Sequence, residues 1–585
     1  MKFLSNVLAV IVGLLIFWVM AFFIIAGLVA ISTTDDQTEV EENTVFHLKL
    51  DNFNIVERAP EEDLEFSSFS PFGGVASVGL NQILKAIHAA KENEDIKGIY
   101  LESGLISAGQ SHLSEIRAAL LDFKESGKFI ISYAEYFTET GYYLCSVADE
   151  IYLNPLGEIE FNGFASETLF LKGLLEKIEV EPVIFRVGEF KSAIEPFIMN
   201  KMSEENRLQT AVFLGDMNAI LIQAVAESRS LSLEKVKEIN DNMLIRTNQD
   251  ALDLGFVEGL WYDDQVKARL KEKLGLEEDD DINSINITQI NKTIKDKNRL
   301  SRNRIAVVVA DGQIVGGQME GQVSSDIFLK EIRKARKDKD VKAIVIRINS
   351  PGGSILASEV IWRELAEAQK EKPLIASMSN LAASGGYYIA APADTIVAQP
   401  NTITGSIGIF GIWFNAQGLL NNKLGLTTDV VTTGEFSDFL NPTKAIPEIE
   451  KNIMQRKVEE GYETFISRVA EGRGMSREEV IKIAGGRVWS GTKAKENGLV
   501  DVLGSYEDAI EIAAKKAGVQ DDYRIVMYPE QKSLIDRLMS ELTKDVQATY
   551  HKITMGYSFE IYQQIEKLKN LEGIMAILPF ELKIR

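Results

Sequence analysis

The chain repeats itself at a nearly constant spacing, and this repeat constrains its fold more than any other feature. Gly141-Tyr142-Tyr143 recurs as Gly386-Tyr387-Tyr388, an offset of 386 − 141 = 245 residues. The same offset relates four further pairs of residues: Asp149 and Asp394, Pro155 and Pro400, Gly163 and Gly408, and Gly173 and Gly418. Self-similarity over such a length indicates a duplication. The chain has 585 residues, enough for two domains with separate hydrophobic cores.

The pattern of apolar residues within each copy predicts an α/β fold. In the second copy, β-rich apolar runs at 304–312, 341–350 and 373–379 predict strands. A charged helical stretch at 327–337 and an amphipathic one within 351–370 lie between them. Strands that alternate with helices form a parallel sheet with crossover helices. We therefore predict two tandem domains, each built on such a sheet.

Changes in composition predict where these domains begin and end. The first copy is assigned to residues 44–275 and the second to 304–520, and the polar, strongly charged segment 276–303 is assigned as a linker with room for some helix. The C-terminal segment 521–585 differs in character, because 533–571 is typical of one or two amphipathic helices. Packing on their own domain, contact with another subunit and a role at the membrane surface all remain open for these helices.

An uncharged apolar run at residues 7–31 predicts a membrane anchor. The run is longer than the roughly 20 residues that cross a bilayer as a helix. Lys2 precedes it and acidic residues such as Asp35 and Asp36 follow it, so the N-terminus is expected in the cytoplasm and the bulk of the chain outside, on the periplasmic side of the cytoplasmic membrane. A cleaved signal peptide is the alternative, but its apolar core is only about 7–15 residues long. Residues 1–32 are therefore assigned to a cytoplasmic tip and an uncleaved single-pass anchor.

Charge and residue usage argue against several classes of function. The chain has 63 basic and 86 acidic residues, a formal net charge of −23, which argues against a nucleic-acid partner because such proteins present a basic face. The single cysteine, Cys145, lies in an apolar run and is predicted to be a buried small hydrophobe. The sequence contains no zinc-type cluster of Cys and His. We expect neither a metal nor a nucleotide cofactor.

Two motifs in the second copy predict an oxyanion site and a serine nucleophile. The motif "NSPGGS" at 349–354 follows a buried strand, and Gly352 and Gly353 leave backbone N–H groups uncovered where ligands bind in an α/β sheet. Such groups suit a developing negative charge, although an ordinary strand-to-helix turn is the alternative for this motif alone. In "AASGG" at 382–386, small neighbours suit a reactive Ser384 on a sharp turn at a helix N-terminus. Gly385 would add a second N–H donor to that of Gly352 or Gly353.

A serine hydroxyl is a weak nucleophile without a base, and the repeat indicates which residue supplies one. None of the four histidines lies near either motif of the second copy: His47, His88, His112 and His551. Aligning "GEFKS" with "GEFSD" sets Lys191 of the first copy against Ser437 of the second, while Glu139 of the first falls opposite Ser384. This reciprocal pattern predicts one composite Ser-Lys site with Lys191 as the base. Burial must then lower the lysine pKa. Lys444 is the fallback base if the second copy acts alone.

The motifs together resemble the long, duplicated form of the signal peptide peptidase A family: "NSPGG", "AASGGYYIA" and "TGSIG", with "GEFKSAIEPF" upstream and "EGIMAILPFELKIR" at the C-terminus. This family comprises membrane-anchored Ser-Lys proteases related in fold to the Clp protease and crotonase superfamily, and the resemblance covers nearly the whole chain. It implies Ser384 as nucleophile, Lys191 as general base and Ser406 as the hydroxyl that holds the lysine. It further implies that the substrates are cleaved signal peptides left in the membrane, and that the chain forms a bowl-like homotetramer.

Two other functions stay open on the sequence alone. A crotonase-like acyl-CoA enzyme would use the same glycine N–H groups to hold a thioester enolate, and no covalent serine adduct would form. A non-catalytic membrane scaffold would keep the fold without the activity. The expected function is a membrane-bound serine endopeptidase that acts through an acyl-enzyme.

Overall fold

Two mainly parallel β-sheets, one in each repeat, form the centre of the molecule. The structure is a computed structural model that describes residues 12–20, 39–51, 53–60, 76–294, 298, 300–530 and 573–577. Helices pack on both faces of the second sheet, and a third, mixed sheet joins the repeats. This architecture confirms the predicted α/β class, with parallel strands connected through crossover helices.

The first repeat is built on a six-stranded sheet. The strands of the whole repeat, three of which lie outside this sheet, are β1 (Thr44–Lys49), β2 (Phe53–Val56), β3 (Ala76–Gly79), β4 (Ile96–Glu102), β5 (Phe129–Phe137), β6 (Glu150–Ile159), β7 (Glu181–Val187), β8 (Gly259–Leu260) and β9 (Ser284–Ile285). The sheet has the order β8-β6-β5-β4-β1-β9, and all its neighbouring strands are parallel. β2 and β3 form a separate parallel pair, and β7 leaves the repeat to join the third sheet.

Helices connect these strands. Those of the first repeat are Leu80–Glu92, Gln110–Lys124, Glu139–Cys145, Lys172–Lys177, Glu195–Ile198, Glu204–Arg229, Leu233–Asp241, Asn248–Asp253, Asp263–Leu274 and Ile287–Thr293, with a 3-10 turn at Ser192–Ile194. Those of the second repeat are Ser325–Lys337, Ile355–Gln369, Gly385–Ala390, Glu448–Arg473, Arg477–Ile483, Gly491–Glu496 and Tyr506–Ala517, with a π-helical turn at Leu419–Leu424.

The second repeat is built on an eight-stranded sheet. The strands from here to the C-terminus are β10 (Arg304–Asp311), β11 (Ile314–Val315), β12 (Val323–Ser324), β13 (Val341–Ser350), β14 (Gly352–Ser354), β15 (Leu374–Ala383), β16 (Thr395–Ala398), β17 (Ile403–Gly405), β18 (Ile409–Asn415), β19 (Val488–Ser490), β20 (Val502–Leu503), β21 (Arg524–Tyr528) and β22 (Gly573–Ile577). The sheet follows the order β19-β17-β15-β13-β10-β21, while β16 also pairs with β15 and β20 pairs with β16. Within it, β19 alone runs antiparallel to its neighbour.

Strands β13 and β10 show why this sheet is covered on both faces. β13 reads VKAIVIRINS and is buried along most of its length. On β10, Ala306 and Val308 face one apolar cluster while Ile305 and Val307 face another, as expected for side chains that alternate between faces. Strands with two apolar faces are typical of a parallel sheet that lies between layers of helices.

A third sheet crosses from one repeat to the other. Its order is β12-β11-β14-β22-β18-β7, so β7 of the first repeat pairs with β18 of the second. The two strands are antiparallel over seven residue pairs, from Ile409 opposite Val187 to Asn415 opposite Glu181. Lys191 follows β7 in the chain and Ser406 precedes β18. An antiparallel register therefore brings these two residues to the same end of the strand pair.

Most of the elements predicted for the second repeat are confirmed, whereas the predicted linker is not a free segment. β10, β13 and β15 fall on the predicted strands, and helices begin at 325 and 355. Within 276–303, however, β9 pairs with β1, and Ile287–Thr293 is helical. Ile285, Ile287 and Ile290 are buried in the core of the first repeat, which explains why this charged segment is attached to it.

The predicted anchor and the predicted C-terminal helices lie mostly outside the described residues. Of the apolar run at 7–31, residues 12–20 are described and form a helix with exposed apolar side chains. The segment 533–571 is outside the described residues, and its described flanks form β21 and β22. Among described residues, one helix, Glu204–Arg229, has the length and apolar composition of a membrane span. It packs Phe213 and Met217 against the second repeat, as a core helix does.

Candidate active site

Ser384 lies on a sharp turn between a strand and a helix. β15 ends at Ala383, and the helix Gly385–Ala390 begins directly after Ser384. Ser384 has φ 57° and ψ −114°, a backbone conformation that residues other than glycine seldom adopt. Its N–H donates to the carbonyl oxygen of Gly405 at 2.8 Å, which ties the turn to β17. A turn of this kind presents a serine hydroxyl at the carboxyl end of a sheet.

Lys191 reaches the second repeat through a loop with close backbone contacts. Gly188 has φ 101°, and a Cβ atom there would lie 2.4 Å from the carbonyl oxygen of Gly485. The same oxygen accepts a hydrogen bond from the N–H of Phe190 at 3.0 Å. A Cβ atom at Gly486 would lie 2.7 Å from Lys191 N, so only glycine leaves room for the lysine backbone at this position.

The amine of Lys191 contacts both serines of the predicted site. Nζ lies 2.8 Å from Ser384 Oγ, 3.0 Å from Ser406 Oγ and 3.1 Å from the carbonyl oxygen of Ser406. All three residues are fully buried. Ser406 sits on its own turn with φ 49°, and its N–H donates to the carbonyl oxygen of Arg487 at 2.7 Å. The lysine of one repeat and the serine of the other therefore lie within hydrogen-bond distance.

Burial controls the protonation of Lys191. In the described part of the chain, the hydrogen-bond acceptors of Nζ are uncharged oxygens of Ser384 and Ser406. Removal from water lowers the pKa of the Lys191 amine well below its ordinary value of 10.5. A neutral amine has a free lone pair and can accept a proton from a hydroxyl.

Lys444, the alternative base, has a different environment. Its Nζ lies 2.6 Å from Asp438 Oδ2, and the hydrogen bond to that carboxylate raises the pKa of Lys444. The amine is partly exposed and stays charged, so it is unsuited to accept a proton near neutral pH.

The three glycines of the predicted oxyanion site are close to one another. A Cβ atom at Gly352 would lie 2.6 Å from Gly385 N, and Gly352 has φ 95°, a region that favours glycine. The N–H of Gly352 donates to Ser350 Oγ at 3.2 Å. Gly353 lies in β14, where a Cβ atom would meet the backbone of Ile314. The turn at Gly352 thus lies against Gly385, the residue that follows Ser384.

A strand from the C-terminus lies next to these glycines. β22 is antiparallel to β14, with Ala576 opposite Gly353, and antiparallel to β18 on its other side. The carbonyl oxygen of Ala576 is so near that a Cβ atom at Gly352 would lie 2.1 Å from it and one at Gly385 3.0 Å from it. Sequence analysis missed this strand, although a short apolar run such as 573–578 is typical of one.

Gln209 is a second residue that sequence analysis did not identify. It lies on the helix Glu204–Arg229, and its Nε2 donates to the carbonyl oxygen of Phe190 at 3.1 Å and to Ser192 Oγ at 2.8 Å. Its Oε1 accepts from the N–H of Val488 in β19 at 3.2 Å. Gln209 therefore holds both chain neighbours of Lys191 and connects them to the second repeat. A single glutamine on a long helix carries no sequence signal for this role.

The equivalent position in the first repeat has a carboxylate. Glu139 Oε1 accepts hydrogen bonds from the N–H groups of Asn162 at 2.7 Å and Gly163 at 2.6 Å, and burial raises the pKa of Glu139. The side chain lines a cavity of about 490 Å³ whose walls come from both repeats. Ser437, which aligns with Lys191, is exposed. The second composite position, where Glu139 replaces the serine and Ser437 replaces the lysine, therefore lacks both members of a Ser-Lys pair.

The described histidines contact carboxylates, with Nε2 or Nδ1 between 2.7 and 3.3 Å from them: His47 with Glu102, His88 with Glu507, and His112 with Glu57. His551 lies outside the described residues. Cys145 is buried, and burial raises the pKa of its thiol. Among the residues that the structure describes, no group of three His, Cys, Asp or Glu side chains is arranged to hold a metal ion.

Comparison with known proteins finds one family in both repeats. The family model for peptidase family S49 matches residues 122–277 and 366–520, which confirms the duplication. The chain is 38% identical to Protease 4 of Salmonella typhi over 480 residues, 80% of this chain and 77% of that protein. It is 32% identical to the chloroplastic serine protease SPPA of Arabidopsis thaliana over 509 residues, 86% of this chain and 74% of that protein. Among solved structures, a ClpP1 point mutant from Listeria monocytogenes matches 35% of this chain and 94% of its own, with 18% identity and a TM-score of 0.24.

Proposed function

The chain belongs to peptidase family S49 and is a serine protease, and we propose that it is a membrane-anchored endopeptidase with a Ser-Lys dyad shared between its repeats. One observation carries this proposal: a fully buried lysine amine lies 2.8 Å from the hydroxyl of a serine on a strained turn. This distance is within the reach of a general base. The reciprocal sequence pattern that selected both residues supports the same pairing.

Neutral Lys191 takes the hydroxyl proton of Ser384 as Ser384 Oγ attacks a substrate carbonyl carbon. The resulting oxyanion is held by the N–H of Gly385 and by an N–H of the Gly352–Gly353 turn. The lysine then gives its proton to the leaving amine, and an ester remains on Ser384. Water, deprotonated by Lys191, hydrolyses this ester and restores the free enzyme. Ser406 supplies two oxygen acceptors that keep the amine directed at Ser384.

We propose that the substrates are signal peptides already cut from exported proteins. The resemblance of the motifs to the signal peptide peptidase A family supports this class, as does the predicted anchor, which would hold the site close to peptides in the membrane. The exposed apolar side chains of helix 12–20 are compatible with such an anchor. The catalytic part would lie on the outer side of the cytoplasmic membrane, and the homotetramer implied by the resemblance remains part of the proposal.

Kinetics on purified full-length protein in detergent test the dyad. We expect Ser384→Ala and Lys191→Met each to lower kcat/KM for synthetic signal peptides by at least about 10³-fold, because residues of a catalytic unit fail together. Lys191→Met keeps the volume of the buried side chain, so folding should persist in thermal unfolding experiments. Full peptide cleavage by either folded variant would contradict the proposed dyad.

A further inference from the structure

The first repeat keeps the cleft of the active site without its nucleophile. A short helix follows β5 at Glu139–Cys145, as one follows β15 in the second repeat. A Cβ atom at Gly141 would lie 2.3 Å from the carbonyl oxygen of Ser103. The equivalent Gly386 approaches the carbonyl oxygen of Ser350 in the same way, with 2.6 Å for its Cβ atom. An equivalent cleft therefore exists in the first repeat, where a carboxylate stands in place of a nucleophilic hydroxyl.

This cleft contains the cavity of about 490 Å³ that Glu139 lines. A volume of this size is typical of ligand sites with preformed walls. Hydrogen bonds between the repeats fix the walls: Asn380 Oδ1 accepts from the N–H of Ser111 at 2.9 Å. Asn401 Nδ2 donates to the carbonyl oxygen of Gln110 at 3.0 Å. The cavity is therefore a built feature of the contact between the repeats.

One oxygen of Glu139 is available to a ligand in this cavity. Glu139 Oε1 accepts three hydrogen bonds, from the N–H groups of Asn162 and Gly163 and from Asn240 Nδ2. Oε2 accepts no hydrogen bond from any of the described residues, although Glu139 is only 5% exposed. A buried carboxylate oxygen without a donor favours a ligand that supplies one.

The charge of the cavity selects a cationic ligand. Glu139 and Glu160 are the two charged side chains among the described lining residues, and both are acidic. Burial raises the pKa of Glu139, and the nearby charge of Glu160 adds to this effect. A cation beside Oε2 would act in the opposite direction and favour the ionised carboxylate.

Apolar side chains surround these two carboxylates. They come from both repeats and include Ile106, Phe164, Phe213, Met217, Leu381 and Ile403. A basic side chain has an apolar stem and a charged end, so it fits such a cavity. Signal peptides have basic residues directly before an apolar core. The lining therefore matches the N-terminal region of the proposed substrates in both charge and apolar character.

The cavity lies close to the active site along two strands. Leu381 of β15 lines it, and Ser384 follows three residues later. Ile403 of β17 lines it as well, three residues before Ser406. Three extended residues cover about 10 Å. Ala383, next to Ser384, belongs to the same apolar cluster as Ile403. A peptide held in the cavity would therefore need only a few further residues to reach the nucleophile.

We propose that this cavity is a second, non-catalytic substrate site, which binds the basic N-terminal region of a signal peptide. This inference rests on the proposed function. A lysine or arginine of the peptide pairs with Glu139 Oε2, and the adjoining apolar residues pack on Phe164, Phe213 and Leu381. The apolar core of the peptide then extends toward Ser384. No bond forms or breaks in the cavity, and its effect is to raise the affinity for peptides that have this basic region.

A double-mutant cycle between Glu139 and the peptide tests this proposal. Two synthetic signal peptides are compared, one with lysines before its apolar core and one with glutamines in their place. Full-length wild type in detergent should show a KM about 10-fold lower for the lysine peptide, the effect of one hydrogen bond between charged groups. Glu139→Gln keeps the shape of the side chain and the acceptor Oε1, but it should lose this preference.

Glu227→Gln is the matched control. It removes the same charge from an exposed position on the helix Glu204–Arg229, which also supplies Phe213 and Met217 to the cavity. Position 227 lies about 15 Å along that helix from Met217, so the preference for lysine should persist. Thermal unfolding of each variant checks that it is folded.

Photo-cross-linking gives a readout that needs no cleavage. A signal peptide with a diazirine residue next to its lysines is irradiated with the Ser384→Ala protein, and the modified residues are found by mass spectrometry. We expect cross-links to Phe164, Met217 or Leu381, and their loss when Glu139→Gln is added. Cross-links confined to residues outside the cavity would overturn the proposal.

The kinetic results distinguish two kinds of failure. Wild type that cleaves the lysine and glutamine peptides with equal KM would overturn the second site and leave the proposed function standing. A preference for lysine that persists in Glu139→Gln would do the same, because another part of the protein would then recognise the charge. Wild type that cleaves neither peptide would overturn the proposed function together with this inference.

Discussion

A single amine decides the chemistry of the site. An ammonium group buried without a counter-charge would cost several kcal/mol, so the protein favours the neutral form of Lys191. Its described contacts, the oxygens of Ser384 and Ser406, orient the amine without restoring the charge. The pKa is lowered by removal from water. For a neutral amine to act as the base, its position relative to Ser384 Oγ matters more than a charged partner does.

Gln209 is expected to act as a positioning residue for Lys191. Gln209→Leu removes the hydrogen bonds to Phe190, Ser192 and Val488 and leaves buried polar groups unpaired, at a cost of about 1–3 kcal/mol. A displacement of the amine by about 1 Å should lower kcat by about 10²-fold. The pH profile of kcat should shift as well, because the environment of the amine changes. Peptide kinetics across pH measure both effects.

Gln223→Leu is the matched control for this prediction. Gln223 lies on the same helix but is exposed, and its Nε2 bonds to Glu227. Its substitution should leave kcat and the pH profile unchanged. A Gln209→Leu enzyme that loses stability but keeps the wild-type pH profile would assign Gln209 a purely structural role.

At the scale of elements, the pairing of β7 with β18 positions Lys191 beside Ser384. The pair places the end of β7 next to the start of β18, and the loop after β7 then crosses the Gly485–Gly486 segment of the second repeat. Two glycines with positive φ stand side by side there, at φ 67° and 83°. Only one of them touches Lys191, and this difference allows a test.

Gly486→Asn should disturb the site, whereas Gly485→Asn should not. Asparagine tolerates positive φ, so backbone strain is similar in the two variants. A Cβ atom at Gly486 would lie within 2.7 to 2.9 Å of three Lys191 atoms, but at Gly485 the nearest atom is 4.0 Å away. We expect overpacking of about 1–3 kcal/mol and a large loss of peptide cleavage for Gly486→Asn alone. Thermal unfolding and kinetics measure these effects, and equal activity of the two variants would contradict the close contact.

The elements that sequence analysis predicted are those with a strong local pattern. β13 contains an uninterrupted apolar run at 343–346 between Lys342 and Arg347 and ends at a Pro-Gly-Gly turn, so the sequence predicts both the strand and its C-terminal end. The pairing of β7 with β18 cannot be predicted from the sequence, because the two strands are more than 200 residues apart and their pairing depends on tertiary contacts rather than on a local pattern. The role of Gln209 was hidden for the same reason. Alignment of the two copies nevertheless identifies Lys191, because comparison of the copies shows that the first has a lysine where the second has Ser437.

At the scale of the whole molecule, a buried ionic network holds the repeats together. Arg347 of the second repeat bonds to Glu57 Oε2 at 2.9 Å and to Glu115 Oε1 at 2.8 Å, both in the first repeat. Burial alone would raise the pKa of Glu57, but Arg347 and His112, through their charges and hydrogen bonds together, outweigh it and hold that pKa well below its usual range. The composite site exists only while the repeats stay in register, so this network supports activity at a distance.

Arg347→Met should weaken the contact between the repeats. Two buried carboxylates would lose the charge of Arg347, and breaking a buried pair costs about 3–5 kcal/mol. We expect a lower urea midpoint and a fall in peptide cleavage together. Arg363→Met is the control: its exposed pair with Glu367 lies on one helix, and its loss should change stability by less than about 1 kcal/mol. Wild-type stability and activity in Arg347→Met would show that the repeats are held by other contacts.

The most direct test of the shared dyad is the rate at which a serine-reactive fluorophosphonate modifies Ser384, measured by mass spectrometry across pH. Protonated Lys191 cannot accept the hydroxyl proton, so the rate should be lost as pH falls through the lysine pKa. It should reach a plateau above that pKa, well below pH 10.5. Lys191→Met should react at least about 10³-fold more slowly at every pH. Equal rates and equal pH profiles in wild type and Lys191→Met would contradict the dyad.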